Sequence, residues 1–330
     1  MTQAPDSIEL RAFAPADRSQ VLELLAQSLG RDDDPRYGAL YAWKHEDNVF
    51  GSSPCLVATD AGRLVGVRVF MRWKFERDGK KINAVRAVDT ATHPDYQGRG
   101  IFSRLTLAAI EQVRADGVAF VFNTPNTQSR PGYLKMGWQV VGRPAVAVRP
   151  RSIGSAVRIV RAREPAERWS EPTTAGEGAA EFVAEHAPAI GRLVESQPRS
   201  TRLRTVRSPA YFAWRYGLDF LHYRVVSSPG GTDEGFAVFR VRRRGAAREV
   251  VLDELAVQGA DPELERKVLR ELIREMPGDY LIRLGGARAS RQLFFRLPRQ
   301  GPILTWRDVC EPSMPPLDAW ALTMGDIELF

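Results

Sequence analysis

The chain has 330 residues, of which 44% are hydrophobic and 26% charged, a composition typical of a globular protein and too apolar for a disordered one. This length predicts about two domains. Lysine and arginine outnumber aspartate and glutamate by 47 to 40, so the net charge of +7 favours an anionic partner without identifying it.

Several classes of protein are excluded at this stage. Apolar runs are short, and the first ten residues lack a basic and then apolar pattern, so neither a membrane span nor a secretory signal is expected. With Cys55, Cys310 and four histidines, the sequence predicts neither a disulfide framework nor a metal site. The charge is spread evenly along the chain. We therefore expect a cytoplasmic protein without a nucleic-acid or membrane partner.

The hydrophobic pattern predicts a regular alternation of elements in the first half. In chain order these are a strand at Ile8–Phe13, helices to about Ser28 and at Pro35–His45, strands at Cys55–Thr59, Leu64–Phe75 and Ile82–Thr92, a helix at Gly100–Ala115, a strand at Ala119–Asn123, a helix at Thr127–Met136 and a strand at Trp138–Val148. This order predicts a mixed α/β sheet flanked by helices.

The second half resembles a diverged copy of the first. The segment Pro35–Lys44 recurs as Pro209–Arg215, and Val65–Val69 recurs as Glu234–Val238. Landmarks that keep their order and spacing indicate an internal duplication. The hydrophobic residues of segment 150–180 follow neither a helical nor a strand period, and the segment is rich in turn-forming residues. The sequence thus predicts domains at 1–150 and 181–330, joined by a linker at 151–180.

A glycine-containing turn lies between the fourth predicted strand of the sheet, Ile82–Thr92, and the long helix at Gly100–Ala115. Its sequence is Gln97-Gly98-Arg99-Gly100-Ile101-Phe102. Glycines at such a turn let backbone amides converge at a helix N-terminus, where they bind phosphate groups. The spacing is neither that of a P-loop nor that of a dinucleotide fingerprint. Taken alone, the pattern is also compatible with a plain tight turn.

A second pattern follows about thirty residues later. It comprises Asn126, Ser129, Tyr133, Gly137 and Trp138. With these two motifs in order, the segment from Val85 to Val141 resembles the GNAT superfamily of acyl-CoA-dependent N-acyltransferases. The resemblance implies tandem GNAT folds, each a mixed, mostly antiparallel sheet flanked by helices, with acetyl-CoA or another acyl-CoA as cosubstrate.

The resemblance also implies roles for individual residues. The backbone of Gln97–Phe102 would bind the pantetheine pyrophosphate, Ala91 and Thr92 would bind the pantetheine arm and polarise the thioester, and Asn126 would contact the arm. Tyr133 would protonate the leaving thiolate as general acid. Phe102 stands where the family has glycine or alanine, which puts the packing of the helix start in doubt.

The general base is less well defined by the sequence. Asp89 lies in a strand leading to the turn and is a candidate base or acceptor anchor, with pairing to Arg68 or Arg86 as the structural alternative. His93 is expected to be an exposed loop residue rather than a base. The segment His45–Asp47 follows a helix, where it is either a solvated helix end or part of an acceptor pocket.

The second half lacks the glycine turn and has Glu263 and Glu265 at the matching helix start, where they would repel a pyrophosphate. It is therefore predicted to be a degenerate domain that shapes the acceptor site, as in mycothiol synthases and the enhanced-intracellular-survival aminoglycoside acetyltransferases. The predicted activity is N-acylation of a small amine, such as an amino sugar, an antibiotic or precursor, or an amino-acid derivative. The alternative is a non-catalytic module that binds acyl-CoA or a partner.

Overall fold

The computed structural model describes residues 8–30, 34–161, 164–285, 294–297 and 299–328. The chain forms two compact units. The N-terminal unit takes the described residues of Met1–Phe75, Lys81–Gly142 and Ile303–Pro316, and the C-terminal unit takes those of Glu76–Lys80, Arg143–Pro302 and Leu317–Phe330. Among the described helices, none is long and apolar enough to cross a membrane.

The elements up to residue 142 follow the predicted order. They are β1 Glu9–Ala12, α1 Arg18–Leu29, α2 Arg36–His45, β2 Cys55–Asp60, β3 Arg63–Arg77, β4 Lys80–Thr92, α3 Ile101–Ala115, β5 Phe120–Asn123, α4 Arg130–Lys135 and β6 Gln139–Gly142. Helix α4 is shorter than predicted because the residues from 127 to 129 form a turn before it.

The remaining elements belong mainly to the C-terminal unit. They are β7 Val146–Pro150, α5 Ile153–Arg161, β8 Glu177–Gly178, α6 Ala179–Glu195, β9 Arg204–Thr205, α7 Pro209–Tyr216, β10 Arg224–Ser227, β11 Gly235–Arg244, β12 Ala247–Val257, α8 Pro262–Glu275, β13 Tyr280–Leu284, β14 Phe295–Leu297, β15 Leu304–Asp308 and α9 Met324–Ile327. The segment predicted to be a linker thus carries α5 and β8.

The sheet of the N-terminal unit has the order β1-β2-β3-β4-β5-β15-β6. Strands β4 and β5 are parallel, and β15 is antiparallel to both of its neighbours. Alternate residues of β3 face opposite cores: Val67 and Val69 pack with residues of α1 and α2, and Phe70 packs with residues of α3 and α4. A Cβ at Gly66 would lie 2.7 Å from Ile101, so this glycine lets the start of α3 approach the sheet closely.

The sheet of the C-terminal unit repeats this arrangement. Its order is β8-β10-β11-β12-β13-β7-β14, with a parallel pair at β12 and β13 where the first sheet has β4 and β5. The helices α6, α7 and α8 precede or follow the same strands as α1, α2 and α3 do. The predicted fold class, two mixed and mostly antiparallel sheets flanked by helices, is confirmed.

The sixth position of each sheet is filled by a strand from elsewhere in the chain. The single strand predicted at Trp138–Val148 is wrong, because the chain forms β6 in the first sheet and β7 in the second. Gly142 has a φ of 147°, and Pro144 lacks the amide that a central strand needs. These two residues end β6, and β15 returns to pair with β5 and β6.

Candidate active site

The turn before α3 has no side chain that caps the helix. Gly100 precedes the helix with a φ of 74°, and Gly98 has a φ of 78°. A Cβ added at either glycine would meet no atom within 4 Å, so glycine is required here by backbone conformation and not by crowding. The first amides of the helix and its positive dipole end make the turn suited to an anion such as a diphosphate.

The residues predicted to bind the pyrophosphate lie together along this turn. Gln97–Gly100 are exposed, Ile101 is buried and Phe102 is half-buried. The ring of Phe102 lies edge-on to Tyr133, with 5.3 Å between centroids. A Cβ at Gly132 would come within 2.9 Å of that ring. Gly132 therefore provides the space that the bulky residue at the sixth motif position requires.

Strands β4 and β5 pair over a short stretch and then separate. The register joins Ala84–Arg86 to Phe120–Phe122, whereas β4 continues to Thr92. Asp89 has a φ of 39°, a left-handed conformation that is uncommon for a residue with a side chain. Ala91 and Thr92 follow this irregularity. Beyond Arg86 the register with β5 ends, and an unpaired strand edge of this kind can hydrogen-bond to an extended ligand; the carbonyl of Thr92 accepts a hydrogen bond of 3.4 Å from Ser28 Oγ.

Asp89 lies in a buried polar cluster with residues at the end of α2. Its Oδ2 forms an ion pair with Lys44 Nζ and lies 2.9 Å from His45 Nε2. The other ring nitrogen of His45, Nδ1, is 2.9 Å from Ser53 Oγ. Burial has the largest influence on His45 and lowers its pKa, although the hydrogen bond to Asp89 acts in the opposite direction.

This cluster has the connectivity of a proton relay. An ionised carboxylate can only accept, so Nε2 of neutral His45 carries the ring proton and donates it to Asp89. Nδ1 is then an acceptor, and the Ser53 hydroxyl donates its hydrogen bond of 2.9 Å to it in preference to the Lys44 carbonyl, which lies 3.4 Å away. Because its lowered pKa keeps the imidazole neutral at pH 7, His45 can take up a proton that arrives through the half-buried Ser53.

Tyr133 and Arg68 form a buried pair on the face of the sheet that packs with α3 and α4. Tyr133 is 3% exposed and Arg68 is 0% exposed. Arg68 Nη1 donates a hydrogen bond of 2.8 Å to the Tyr133 hydroxyl oxygen. Since that oxygen accepts from Arg68, its own proton remains available for donation to another group. The tyrosine is therefore arranged to act as a proton donor.

Two other residues considered from the sequence have local partners. Asn126 is exposed, and its Oδ1 accepts hydrogen bonds from the amides of Gln128 and Ser129; its contact with a pantetheine arm stays a prediction. The expectation that His93 is exposed is wrong, because it is 6% exposed. Its Nε2 lies 2.7 Å from Arg63 Nη2, and this hydrogen bond compensates for burial of the ring.

Lys44, Ser53 and Arg68 have no catalytic role predicted from the sequence. Of these three residues, Arg68 is the easiest to recognise in the sequence as a possible functional residue, since it places a charge within the apolar run of β3. Of the segment at the end of α2, His45 joins the cluster, whereas Glu46 and its neighbour are exposed. Ser53 lies in a loop and carries no pattern that distinguishes it.

The C-terminal unit has the same arrangement of strands and helices but lacks the uncapped turn. Asp261 caps α8 by accepting a hydrogen bond of 2.7 Å from the amide of Glu263. Glu263 and Glu265 add negative charge in the first turn of that helix. In the sequence repeat, Arg68 corresponds to Ala237. The helix start suited to an anion thus belongs to the N-terminal unit.

In the N-terminal unit the parallel strands of a mixed sheet separate beside an uncapped helix start, and a tyrosine lies in the following short helix. This arrangement defines the GNAT class of acetyltransferase fold. The family model of the acetyltransferase (GNAT) domain matches residues 9–141. These residues are therefore a GNAT domain, as the two sequence motifs predict.

Solved structures share this fold over most of the chain. A protein of unknown function from Enterococcus faecalis V583, described as a probable N-acyltransferase, aligns with a TM-score of 0.66 at 12% identity. GCN5-related N-acetyltransferases from Anabaena variabilis ATCC 29413 and Kribbella flavida both align with a TM-score of 0.63, at 13% and 15% identity. The alignments cover 92% of this chain and 73%, 73% and 72% of the other chains. No curated protein matches the chain significantly, so the similarity establishes the fold and not the substrate.

A group of possible metal ligands lies in the C-terminal unit. Ligand atoms of Glu177, Glu185 and His186 lie within 4.8 Å of one another, and both glutamates are exposed. Exposed acidic groups commonly occur together without an ion, and the absence of a metal cofactor stays a prediction.

Proposed function

We propose that the N-terminal unit is an acyl-CoA-dependent N-acyltransferase, with acetyl-CoA as donor and the amine of a small molecule as acceptor. The observation that carries the proposal is the uncapped turn at Gln97–Gly100 beside the separated edge of β4 and the buried Tyr133. The turn offers amides to a diphosphate, the strand edge offers hydrogen bonds to an amide-containing arm, and the hydroxyl offers a proton to a thiolate. An amino sugar, an antibiotic or precursor, or an amino-acid derivative would supply the amine.

The donor would bind along the turn and the strand edge. The backbone of Gln97–Phe102 would hold the pyrophosphate, and Ala91 and Thr92 would pair with the pantetheine arm. Asn126 would contact the arm from the loop before α4. Backbone amides at the end of β4 would also stabilise negative charge on the thioester oxygen in the transition state.

The proposed chemistry is direct attack of the neutral amine on the thioester carbonyl carbon. A C–N bond forms and the C–S bond breaks, and the electron pair of the C–S bond passes to sulphur. Tyr133 donates its hydroxyl proton to that sulphur as general acid.

The proton of the amine leaves on the side of α2. Asp89 is the anchor of this relay, since the charge of Lys44 already offsets that of its carboxylate. His45 receives the proton at Nδ1 through Ser53 Oγ, and Asp89 stabilises the imidazolium that forms. This proposal gives Asp89 a role in orienting His45, which differs from the two roles predicted from the sequence, base and acceptor anchor.

A thiol-release screen that crosses several acyl-CoAs with a library of amines tests the proposal. We expect release that depends on the amine, and we expect Tyr133→Phe to lower kcat about 100-fold, as for loss of a general acid. Tyr223→Phe is the matched control, since Tyr223 is buried in the C-terminal unit and its hydroxyl accepts a hydrogen bond of 2.9 Å from Arg215. This control should keep full activity.

The alternative, a non-catalytic acyl-CoA-binding or partner-binding module, predicts binding of acyl-CoA without thiol release on any amine. That result would overturn the catalytic proposal. A cytoplasmic location, the lack of nucleic-acid and membrane partners, and a contribution of the C-terminal unit to the acceptor site remain predictions. DNA affinity that depends on salt and is undisturbed by CoA would contradict the expected choice of partner.

A further inference from the structure

Arg68 is a buried cation with no carboxylate partner in the described part of the chain. Its Nη1 donates to Tyr133, and its Nε and Nη2 have no hydrogen-bond partner among the described residues. The ring centroids of Phe70, Phe102 and Tyr133 lie 4.7, 5.8 and 5.2 Å from the guanidinium carbon. A charge buried among aromatic rings gains cation–π attraction but still disfavours folding unless it is paired.

The fold itself does not require a cation at this position. In the C-terminal unit the corresponding residue is Ala237, which is also fully buried. Ala237 packs with residues of α8, as the neighbours of Arg68 pack with residues of α3. The two copies of the sheet thus differ at this position in the same way as they differ at the turn. The guanidinium occurs in the unit that has the uncapped turn and Tyr133, and the other unit has alanine at this position. This difference points to a role in chemistry at Tyr133.

We propose that Arg68 is a positioning residue for the leaving-group side of the acyl transfer. This inference rests on the proposed function, because that function gives Tyr133 a proton to donate. By donating to the Tyr133 oxygen, Arg68 turns the hydroxyl proton away from itself and toward the position of the thioester sulphur. Its charge also lies beside the groups on which negative charge develops as the C–S bond breaks.

The step balances with the two substrates and these two side chains. The C–S electron pair passes to sulphur, and the Tyr133 proton follows it to give the free thiol of CoA. The phenolate that remains is stabilised by the hydrogen bond and the charge of Arg68. It is reprotonated from solvent after the thiol has left, which restores the starting state.

A double-mutant cycle with Tyr133→Phe tests whether Arg68 acts through Tyr133. Arg68→Met fills the site with an unbranched apolar side chain, and we expect it to lower kcat at least about tenfold while KM for the acyl-CoA stays within about threefold, because the lost interaction belongs to the transition state. Arg68→Lys should recover part of that loss. In the Tyr133→Phe background, Arg68→Met should have little further effect on kcat. An equal loss in both backgrounds, or an effect on KM alone, would overturn the inference.

A binding measurement separates this inference from the proposed function. Calorimetric titration with CoA and with desulfo-CoA at alkaline pH compares a ligand that can carry a thiolate with one that cannot. We expect Arg68→Met to weaken CoA about tenfold and to leave desulfo-CoA unchanged, since a nearby cation favours the thiolate. Equal affinities of the wild type and Arg68→Met for CoA would contradict a charge acting at sulphur. Thiol release by none of the acyl-CoA and amine pairs would instead contradict the proposed function, whatever the binding result.

Discussion

The C-terminal unit also has an acid at an irregularity of the strand that corresponds to β4. The pairing of β11 with β12 shifts between Val238 and Phe239, and the extra residue on β12 is Asp253. Burial, followed by the charge of Glu328, raises the pKa of Asp253, and the charges of Arg240 and then Arg215 oppose that rise. An acid at an irregularity of the strand before the third helix, with a basic residue nearby, is therefore common to both units.

The basic residues also correspond, since Lys44 and Arg215 each follow a tryptophan in the repeated segment. The two acids differ in their charge: burial raises the pKa of Asp253 to about 8, so it is largely protonated at neutral pH, whereas Asp89 forms an ion pair with Lys44. His45 has no equivalent in the C-terminal unit, since Tyr216 follows Arg215. The histidine is the part of the cluster that distinguishes the N-terminal unit.

The lowered pKa of His45 leads to a prediction about pH. The relay works only with neutral His45, so activity should be constant at neutral pH and should fall in acid, with a midpoint below the ordinary histidine value of about 6.5. His45→Gln, which keeps an amide donor to Asp89, should lower kcat/KM and abolish that acid limb. The measurement is a pH profile of kcat/KM for both proteins.

Ser53→Ala serves as the comparison for this profile. It removes the hydroxyl from the relay and leaves the imidazole, so we expect a lower rate with the acid limb retained. An unchanged acid limb in His45→Gln would show that another group takes the proton.

At the scale of elements, the two equivalent helix starts differ in how their amides are used. Helix α3 follows two glycines of positive φ and has no side-chain cap, whereas α8 is capped by Asp261 and has acidic residues in its first turn. A helix start that is already capped and negatively charged has no capacity for a diphosphate. The difference in a few residues thus makes the start of α3 suited to a diphosphate and the start of α8 unsuited to one.

The glycine turn gives the second prediction. Gly98→Ala and Gly100→Ala should each cost about 1 kcal/mol of stability, because alanine disfavours positive φ. Both should also weaken CoA about tenfold or more, since the turn would no longer present its amides to the diphosphate. Calorimetry with CoA and chemical denaturation measure the two effects.

Gly62→Ala is the matched control for the turn. Gly62 has a φ of 80°, and its Cβ would also meet no atom within 4 Å, but it lies between β2 and β3. We expect the same loss of stability without a loss of CoA affinity. Equal loss of affinity in all three variants would mean that the effect is one of general stability.

At the scale of the molecule, ion pairs connect the C-terminal segment to the rest of its unit. Arg240 Nη2 and Arg242 Nη1 lie 2.8 and 2.7 Å from carboxylate oxygens of Glu328, and Arg215 Nε donates a hydrogen bond of 2.8 Å to the carbonyl of Gly325. Asp253 is buried beside this network, and neither carboxylate oxygen has a hydrogen-bond partner among the described residues. Burial, and then the charge of Glu328, raise its pKa to about 8.

This buried acid predicts how stability depends on pH. A folded-state pKa above the unfolded value means that folding favours the protonated form, so the contribution is full below about pH 4 and is lost as pH rises through about 8. Asp253→Asn should remove that loss. We expect the stability of the variant relative to the wild type to rise between about pH 4 and pH 8 and to level off above pH 8, as measured by urea denaturation. A difference between the two proteins that does not change with pH would contradict the assignment.

Much of the fold and part of the site could be predicted from the sequence. The hydrophobic patterns of β3 and α3 depend on residues close together in the chain. The same holds for the turn at Gln97–Phe102, whose glycines have the positive φ that their position demands. The repeated landmarks predicted the second sheet. The strand at Trp138–Val148 was mispredicted because its apolar residues continue past Gly142 and Pro144, and only pairing decides which sheet each part joins.

The sequence by itself determined the elements, the glycine turn and the duplication, because each depends on residues near one another in the chain. The tertiary structure decided which polar side chains meet. His45 and Asp89 are 44 positions apart, Arg68 and Tyr133 are 65 apart, and Thr305 pairs with Asn123 across 182 positions. Partners at such separations are selected by sheet order and by the cost of burying a polar group without a hydrogen bond, and neither can be read from a local pattern.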